Sequence, residues 1–156
     1  MNSTTILPFC RLQYPTVFLA IALTLQSCLT FEQIPFEEAK GYFVLNSYRD
    51  GNLTDPKITT QEQFETVFGP APVMGKDGAP TKIDFNTSYA VAAIEPETDL
   101  ETRMHVRMVQ YEEDRVTIVY IVRHGKKQSF RTRPVLLLII PKEKTGPVVL
   151  DRIAAD

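Results

Sequence analysis

Arg103-Met104-His105-Val106-Arg107-Met108-Val109-Gln110 and the nearby Arg115-Val116-Thr117-Ile118-Val119-Tyr120-Ile121-Val122-Arg123 decide how this chain folds. In the first stretch Met104, Val106 and Met108 alternate with Arg103, His105 and Arg107. In the second, Val116, Ile118, Tyr120 and Val122 share one parity. Successive side chains of a β-strand point to opposite faces, so each stretch reads as a strand with one buried face. The short polar Glu112-Glu113-Asp114 between them predicts an antiparallel hairpin.

Arg123-His124-Gly125-Lys126-Lys127 reads as a turn into a third strand, Gln128 to Thr132, with Pro134 as a break. Val135 to Ile140 is apolar on both faces, which predicts an interior strand. Pro141 to Gly146 is turn material, and Val148 to Ile153 is the last strand. Upstream, Ser88 to Ile94 carries small residues on both faces and reads as central, with Ile83-Asp84-Phe85 leading in. Glu95 to Glu101 is expected as a solvated acidic connection. Gly41 to Leu45 forms the first strand, and Asp50-Gly51-Asn52 and Asp55-Pro56 follow as turns. One helix stands out. Thr60 and Gln63 fit a capping box, and Phe64, Val67 and Phe68 make one apolar face. Gly69 is placed to end it in the left-handed region, before Pro70. At about nine residues, such a helix depends on packing against a sheet. The fold class is therefore α+β: one short helix on a strongly twisted, mainly antiparallel sheet of about six to seven strands.

The chain has 156 residues, 17 Lys+Arg and 19 Asp+Glu, with a net charge of −2. That length suits one domain, and the charge balance lacks the basic footprint of a nucleic-acid binder. The N-terminal segment carries Arg11 as its one charged side chain, then an apolar run from Thr16 to Leu25. This is the layout of a secretory signal. The run is about ten residues, against about 20 needed to span a bilayer as a helix. It ends in Leu25-Gln26-Ser27-Cys28, which resembles the lipobox of bacterial lipoproteins. The resemblance implies cleavage before Cys28, leaving 129 residues, with diacylglycerol on its sulfur and an acyl chain on its amine, palmitate being among the lipids expected. Residues 1–27 then read as signal peptide, 28–40 as a tether and 41–156 as a single α+β domain. Cys10 and Cys28 are the two cysteines, so such a domain would keep no free thiol for a disulfide or a Cys-ligated metal. The implied location is the bacterial cell envelope, membrane-anchored and by expectation at the outer membrane, with the periplasmic or surface face left open.

Reaction chemistry is absent from the patterns. His105 and His124 lie far apart, and Ser88 and Ser129 have no nucleophile elbow. Met74-Gly75-Lys76-Asp77-Gly78 lacks the spacing of a phosphate loop. Neither catalytic residues, nor a metal site, nor a cofactor is expected. Arg123, Lys126, Lys127, Arg131 and Arg133 form the densest charge cluster and are the candidate partner surface. The plain reading is a solvated hairpin edge guarded by cations.

Several segments together resemble the PrcB carboxy-terminal domain family. They are Ile58-Thr59-Thr60-Gln61-Glu62-Gln63-Phe64, Ile83-Asp84-Phe85, Thr132-Arg133-Pro134-Val135 and Ile140-Pro141-Lys142. The likeness spans roughly Ile58 to Leu150, with Glu95 to Leu100 where the family has a glycine-aromatic motif. The chain also resembles small lipoproteins of Bacteroides-type bacteria. The resemblance implies a non-enzymatic, lipid-anchored interaction module for an envelope protein, one that stabilises or regulates a protease. Two other functions fit the residues. One is an apolar small-molecule pocket in the sheet lined by Met104, Met108 and Tyr120. The other is a protease inhibitor that inserts the Pro70–Pro80 or Glu95–Glu101 loop.

Overall fold

The computed structural model describes residues 32–49, 53–71 and 78–155. Cys10, Cys28, the signal segment, the Asp50-Gly51-Asn52 turn and the centre of the Pro70–Pro80 loop lie outside the described residues. The elements, in order, are β1 (Glu32–Gln33), β2 (Glu37–Glu38), β3 (Tyr42–Val44), β4 (Lys57–Ile58), α1 (Gln61–Val67), β5 (Phe68–Pro70), β6 (Ser88–Ile94), β7 (Thr98–Glu112), β8 (Arg115–Thr132), β9 (Val135–Pro141) and β10 (Val148–Ala155). The described residues are mostly strand, with one short helix among them.

The strands do not form the one sheet expected. They divide into a sheet ordered β1-β7-β8-β10, a second ordered β2-β9-β6-β4 and a ribbon of β3 with β5. The reason lies in β6 and β9, which pair antiparallel over seven residues from Ser88↔Pro141 to Ile94↔Val135. Both are apolar on both faces, so the sheet they centre must be covered twice. On one side, Tyr89, Val91 and Ala93 of β6 and Leu136, Leu138 and Ile140 of β9 pack against Val109, Val116, Ile118, Tyr120 and Val122 of the first sheet. On the other side, Ala90, Ala92 and Leu137 pack against Val44, Phe64, Val67 and Phe68. The result is three layers: a half-polar sheet, an apolar sheet, and the helix with its ribbon.

The hairpin forms where expected, with Glu113 and Asp114 at φ 49° and 58° as a two-residue turn. Its strands are longer than anticipated. Residues 123–127 are not a turn; they continue β8, pairing Arg123 with Arg103, His124 with Thr102 and Lys127 with Leu100. Register shifts between Thr98, Leu100 and Thr102 absorb the extra residues, so the glycine and lysines that suggested a turn mark irregular pairing instead. A further shift between Val106 and Met108 reverses the alternation. Met104 and Val106 pack on the core, whereas Met108 pairs with Val119 on the opposite face. The acidic connection shrinks, because β7 already starts at Thr98.

Helix α1 begins as predicted, with the Thr60 hydroxyl accepting from the Gln63 N–H at 3.2 Å. The Gln63 side chain reaches back to the Thr59 N–H at 3.1 Å, one residue earlier than a regular capping box. Gly69 does not close the helix. Phe68 is the C-cap, in extended conformation, and Gly69 lies in β5. A Cβ there would sit 2.9 Å from the tip of the exposed Phe43 ring, which would have to move aside.

The domain also reaches back into the stretch read as a tether. β1 pairs with Gln110 and Tyr111, Ile34 is buried, and β2 pairs with Leu138 and Ile139. Finally, β10 runs parallel to β8, in register from Val148↔Val116 to Ala155↔Arg123. β9 intervenes in the other sheet and supplies the crossover that a parallel pair requires.

Candidate partner-binding surfaces

The five basic residues singled out from sequence do not make one patch. β10 ends opposite Arg123, so beyond that point β7 and β8 continue as a two-stranded arm. On it Lys127 pairs with Asp99 at 3.1 Å, and Arg131 pairs with Glu97 at 3.4 Å. Arg103 pairs with Glu101 at 2.7 Å. These pairs are exposed, each contributing at most about 1 kcal/mol, and their main effect is to cancel charge. The acidic stretch thus lies beside the basic one for a structural reason. Arg123 and Lys126 instead line a shallow hollow with Glu101, Arg103, His124 and Gly125.

Arg131 and Arg133 line a different hollow, a groove of about 460 Å³ where β8 leads into β9. Its other wall is Tyr42 to Asn46, with Tyr48, Arg49, Glu97, Thr132 and Val135 completing it. The Arg133 guanidinium sits 5.3 Å from the centre of the Tyr48 ring. Arg49 donates to the carbonyls of Asn46 (2.9 Å) and Tyr48 (3.1 Å). Sequence reasoning missed Arg49 and Tyr48. They belong to an irregular segment, and only the ribbon's return past Arg133 brings the two sides together.

A third surface is the edge of the half-polar sheet. Among the described residues no strand pairs with the outer side of β10. The Pro147 carbonyl accepts from the Val116 N–H at 3.0 Å. By the alternation of a parallel ladder, the backbone groups of Val148, Leu150, Arg152 and Ala154 point to the open side. Val149 and Ile153 are exposed at 41% and 40%, next to Val119 and Ile121 on the same sheet face. Asp151 stands between them, and Arg152 points to the core side. Charges placed this way restrain indiscriminate edge pairing.

Arg152 also accounts for the one buried acid among the described residues. Glu95 is 7% exposed, not solvated as expected. Its carboxylate accepts from Arg152 Nε at 3.0 and 3.1 Å and from the Tyr120 hydroxyl at 3.2 Å. Its own N–H donates to the Pro134 carbonyl, which ties together the two crossings between sheets. The cluster holds the fold where the chain changes layer. An arginine at the inward parity of Val148, Leu150 and Ala154 was the available sequence signal for a buried carboxylate.

Burial, then the neighbouring Glu95 charge and its hydrogen bond, push Tyr120 up to about 12. Burial and Tyr111 push Tyr89 up to about 12. A tyrosine in the unfolded chain ionises near 10, so between these values the unfolded state gives up protons that the folded state keeps. Stability conferred by each buried phenol is complete below pH 10 and falls as pH rises through 12, by up to about 1.4 kcal/mol per unit. Urea midpoints measured from pH 8 to 11.5 should fall less steeply for Tyr120→Phe than for the wild type. Parallel curves would contradict this.

The remaining candidates are placed as follows. Met104 and Tyr120 face the core while Met108 faces away, so the three do not line one pocket. Glu95–Glu101 is not a protruding loop. His105 is exposed, and His124 Nδ1 lies 3.0 Å from the Thr102 hydroxyl. No three His, Cys, Asp or Glu side chains gather as a metal site among the described residues. No helix there is long and apolar enough to cross a membrane. Cys28, the lipidation candidate, lies outside them. Comparison with known protein families, curated proteins and solved structures finds no match to this chain.

Proposed function

We propose that this protein is a non-enzymatic interaction module of a bacterial envelope, anchored by a lipid on Cys28 and engaging a protein partner through the open edge of β10. The observation that carries this reading is the edge itself: eight residues long, unpaired on one side among the described residues, and flanked by exposed Val149 and Ile153. An extended segment added there gains main-chain hydrogen bonds for affinity and apolar contacts for specificity. The partner fits the protease-stabilising role that the PrcB resemblance implies, and the outer membrane is the proposed site.

The test uses the full-length lipoprotein in the cells that make it, with a photo-crosslinking residue at Asp151. A discrete adduct with one envelope protein is expected, and Val149→Lys/Ile153→Lys should abolish it. Absence of any adduct, or an adduct indifferent to the double substitution, would overturn the edge reading. In the same cells Cys28→Ala should lose fatty-acid labelling and membrane retention; equal labelling of both forms would overturn the anchor.

A further inference from the structure

Arg103 of β7 and Arg123 of β8 stand directly opposite each other in the ladder. Opposed residues share a face, with Cβ atoms about 5 Å apart, and like charges placed so are destabilising. The hollow that both line carries one carboxylate, Glu101. Its Oε1 accepts from Arg103 Nε at 3.0 Å and from Arg103 Nη2 at 2.7 Å. Its second oxygen rests over Gly125, 3.0 Å from where a Cβ would stand. Among the described residues Arg123 has no ion pair, and neither has Lys126. Residues three apart in a regular strand face opposite ways. Here Gly125 and Lys126 together oppose Glu101 alone, between the pairs Thr102↔His124 and Leu100↔Lys127. Such a bulge re-aims side chains, and Arg123 and Lys126 line the same hollow of about 460 Å³. The remaining lining residue, His124, has its Nδ1 engaged with the Thr102 hydroxyl at 3.0 Å.

Glu101 cancels the charge of Arg103, so the hollow keeps two uncompensated positive charges, those of Arg123 and Lys126. A guanidinium fork and an ammonium point charge are the two side-chain groups best suited to phosphate oxygens. A phosphate monoester carries about −1.5 to −2 at pH 7, which matches that excess, whereas a diester carries about one negative charge. We infer that this hollow binds a phosphate monoester group, with Arg123 holding two of its oxygens in paired geometry and Lys126 a third. The site depends on neither the β10 edge nor a lipid on Cys28, so each reading can fail without the other.

Isotope-labelled full-length protein in maltoside micelles is titrated with methyl phosphate at neutral pH and constant ionic strength, and followed by amide and guanidinium chemical shifts. Saturable shifts at Arg123, Gly125 and Lys126 are expected, with a dissociation constant of about 1 mM or below. Dimethyl phosphate, a monoanion, binds about tenfold more weakly. Arg123→Gln and Lys126→Gln each weaken methyl phosphate by about fivefold or more. Arg107→Gln, which removes an exposed charge elsewhere on β7, and Lys127→Gln, whose side chain is paired with Asp99, leave it unchanged. Micelles doped with short-chain phosphatidic acid, set against phosphatidylglycerol, distinguish the source of the phosphate. The same shifts with phosphatidic acid assign it to a lipid headgroup; shifts with methyl phosphate alone assign it to a soluble ligand. The inference is overturned if neither monoester gives a saturable shift up to about 10 mM, or if dimethyl phosphate binds equally well. It is also overturned if Arg107→Gln weakens binding as much as Arg123→Gln. The dimethyl phosphate comparison uses the wild-type protein, so the result does not depend on a variant's folding.

Discussion

Gly146→Ala is expected to lower stability by about 3 kcal/mol, or roughly 10 °C in melting temperature. A Cβ at this position would overlap the Asp114 carbonyl oxygen and lie 2.9 Å from its carbon. Both atoms are backbone, so no side chain can rotate aside. Asp114 sits in the two-residue turn of the long hairpin, which its neighbour Tyr111 braces through a 2.9 Å hydrogen bond to the Asp114 carboxylate. The Gly146 carbonyl meanwhile accepts from Lys57 Nζ at 3.0 Å. The glycine is thus held between the hairpin turn and the edge of the apolar sheet, at the point where the chain enters β10. The alanine must move one of them, and the parallel β8–β10 ladder should loosen first. Thermal unfolding measures the size of the effect, and amide exchange along β10 its location. An unchanged melting temperature would show that this contact is not as tight as described.

Phe64→Ala should cost about 3–5 kcal/mol. Phe64 is 3% exposed and central to the outer layer. Its ring lies 5.0 Å from that of Tyr42, edge to face, 4.9 Å from Phe68 and 5.8 Å from Phe85. A helix of seven residues has little stability of its own, so its attachment rests on Phe64 and Val67. Removing the ring opens a cavity under the helix and withdraws the support of β3. Phe64→Leu, which keeps much of the volume, should cost about 1.5 kcal/mol or less. Denaturant midpoints distinguish the two. If the alanine variant matched the leucine variant, the helix layer would not depend on that ring.

What could be read from the sequence follows from how local each signal is. The helix start needed only Thr60 and Gln63; the hairpin needed only alternation and a two-residue turn. Val135 to Ile140 announced an interior strand because neither of its faces tolerates water. Division into two sheets was not legible, since it depends on which partner covers which face of β6 and β9. The parallel placement of β10 was hidden for the same reason: a strand's own residues do not state its direction relative to a strand 32 positions earlier. The bulge after Val106 exchanged the faces of Met108 and its neighbours, which a strict two-residue period cannot anticipate. Of the five basic residues, the sequence located the cluster but not its division, because Asp99 and Glu97 neutralise Lys127 and Arg131 only once β7 is paired with β8. The strand of the groove wall was legible in Gly41 to Leu45, but its place opposite Arg133, and the part of Tyr48 and Arg49, were not, because Asn46 to Arg49 has no period.

The pairing of β1 so close in sequence to Cys28 bears on orientation. Three residues lie between Cys28 and β1, four Cα-to-Cα steps with a reach of at most about 14 Å. A lipid on that cysteine would leave the globule almost no clearance from the headgroups, with the β1 side of its sheet nearest them. β10 is the opposite border of the same sheet, three strand spacings or about 14 Å away. A leash that short would make the membrane itself a steric filter, closing one border of the sheet and leaving the other to face outward.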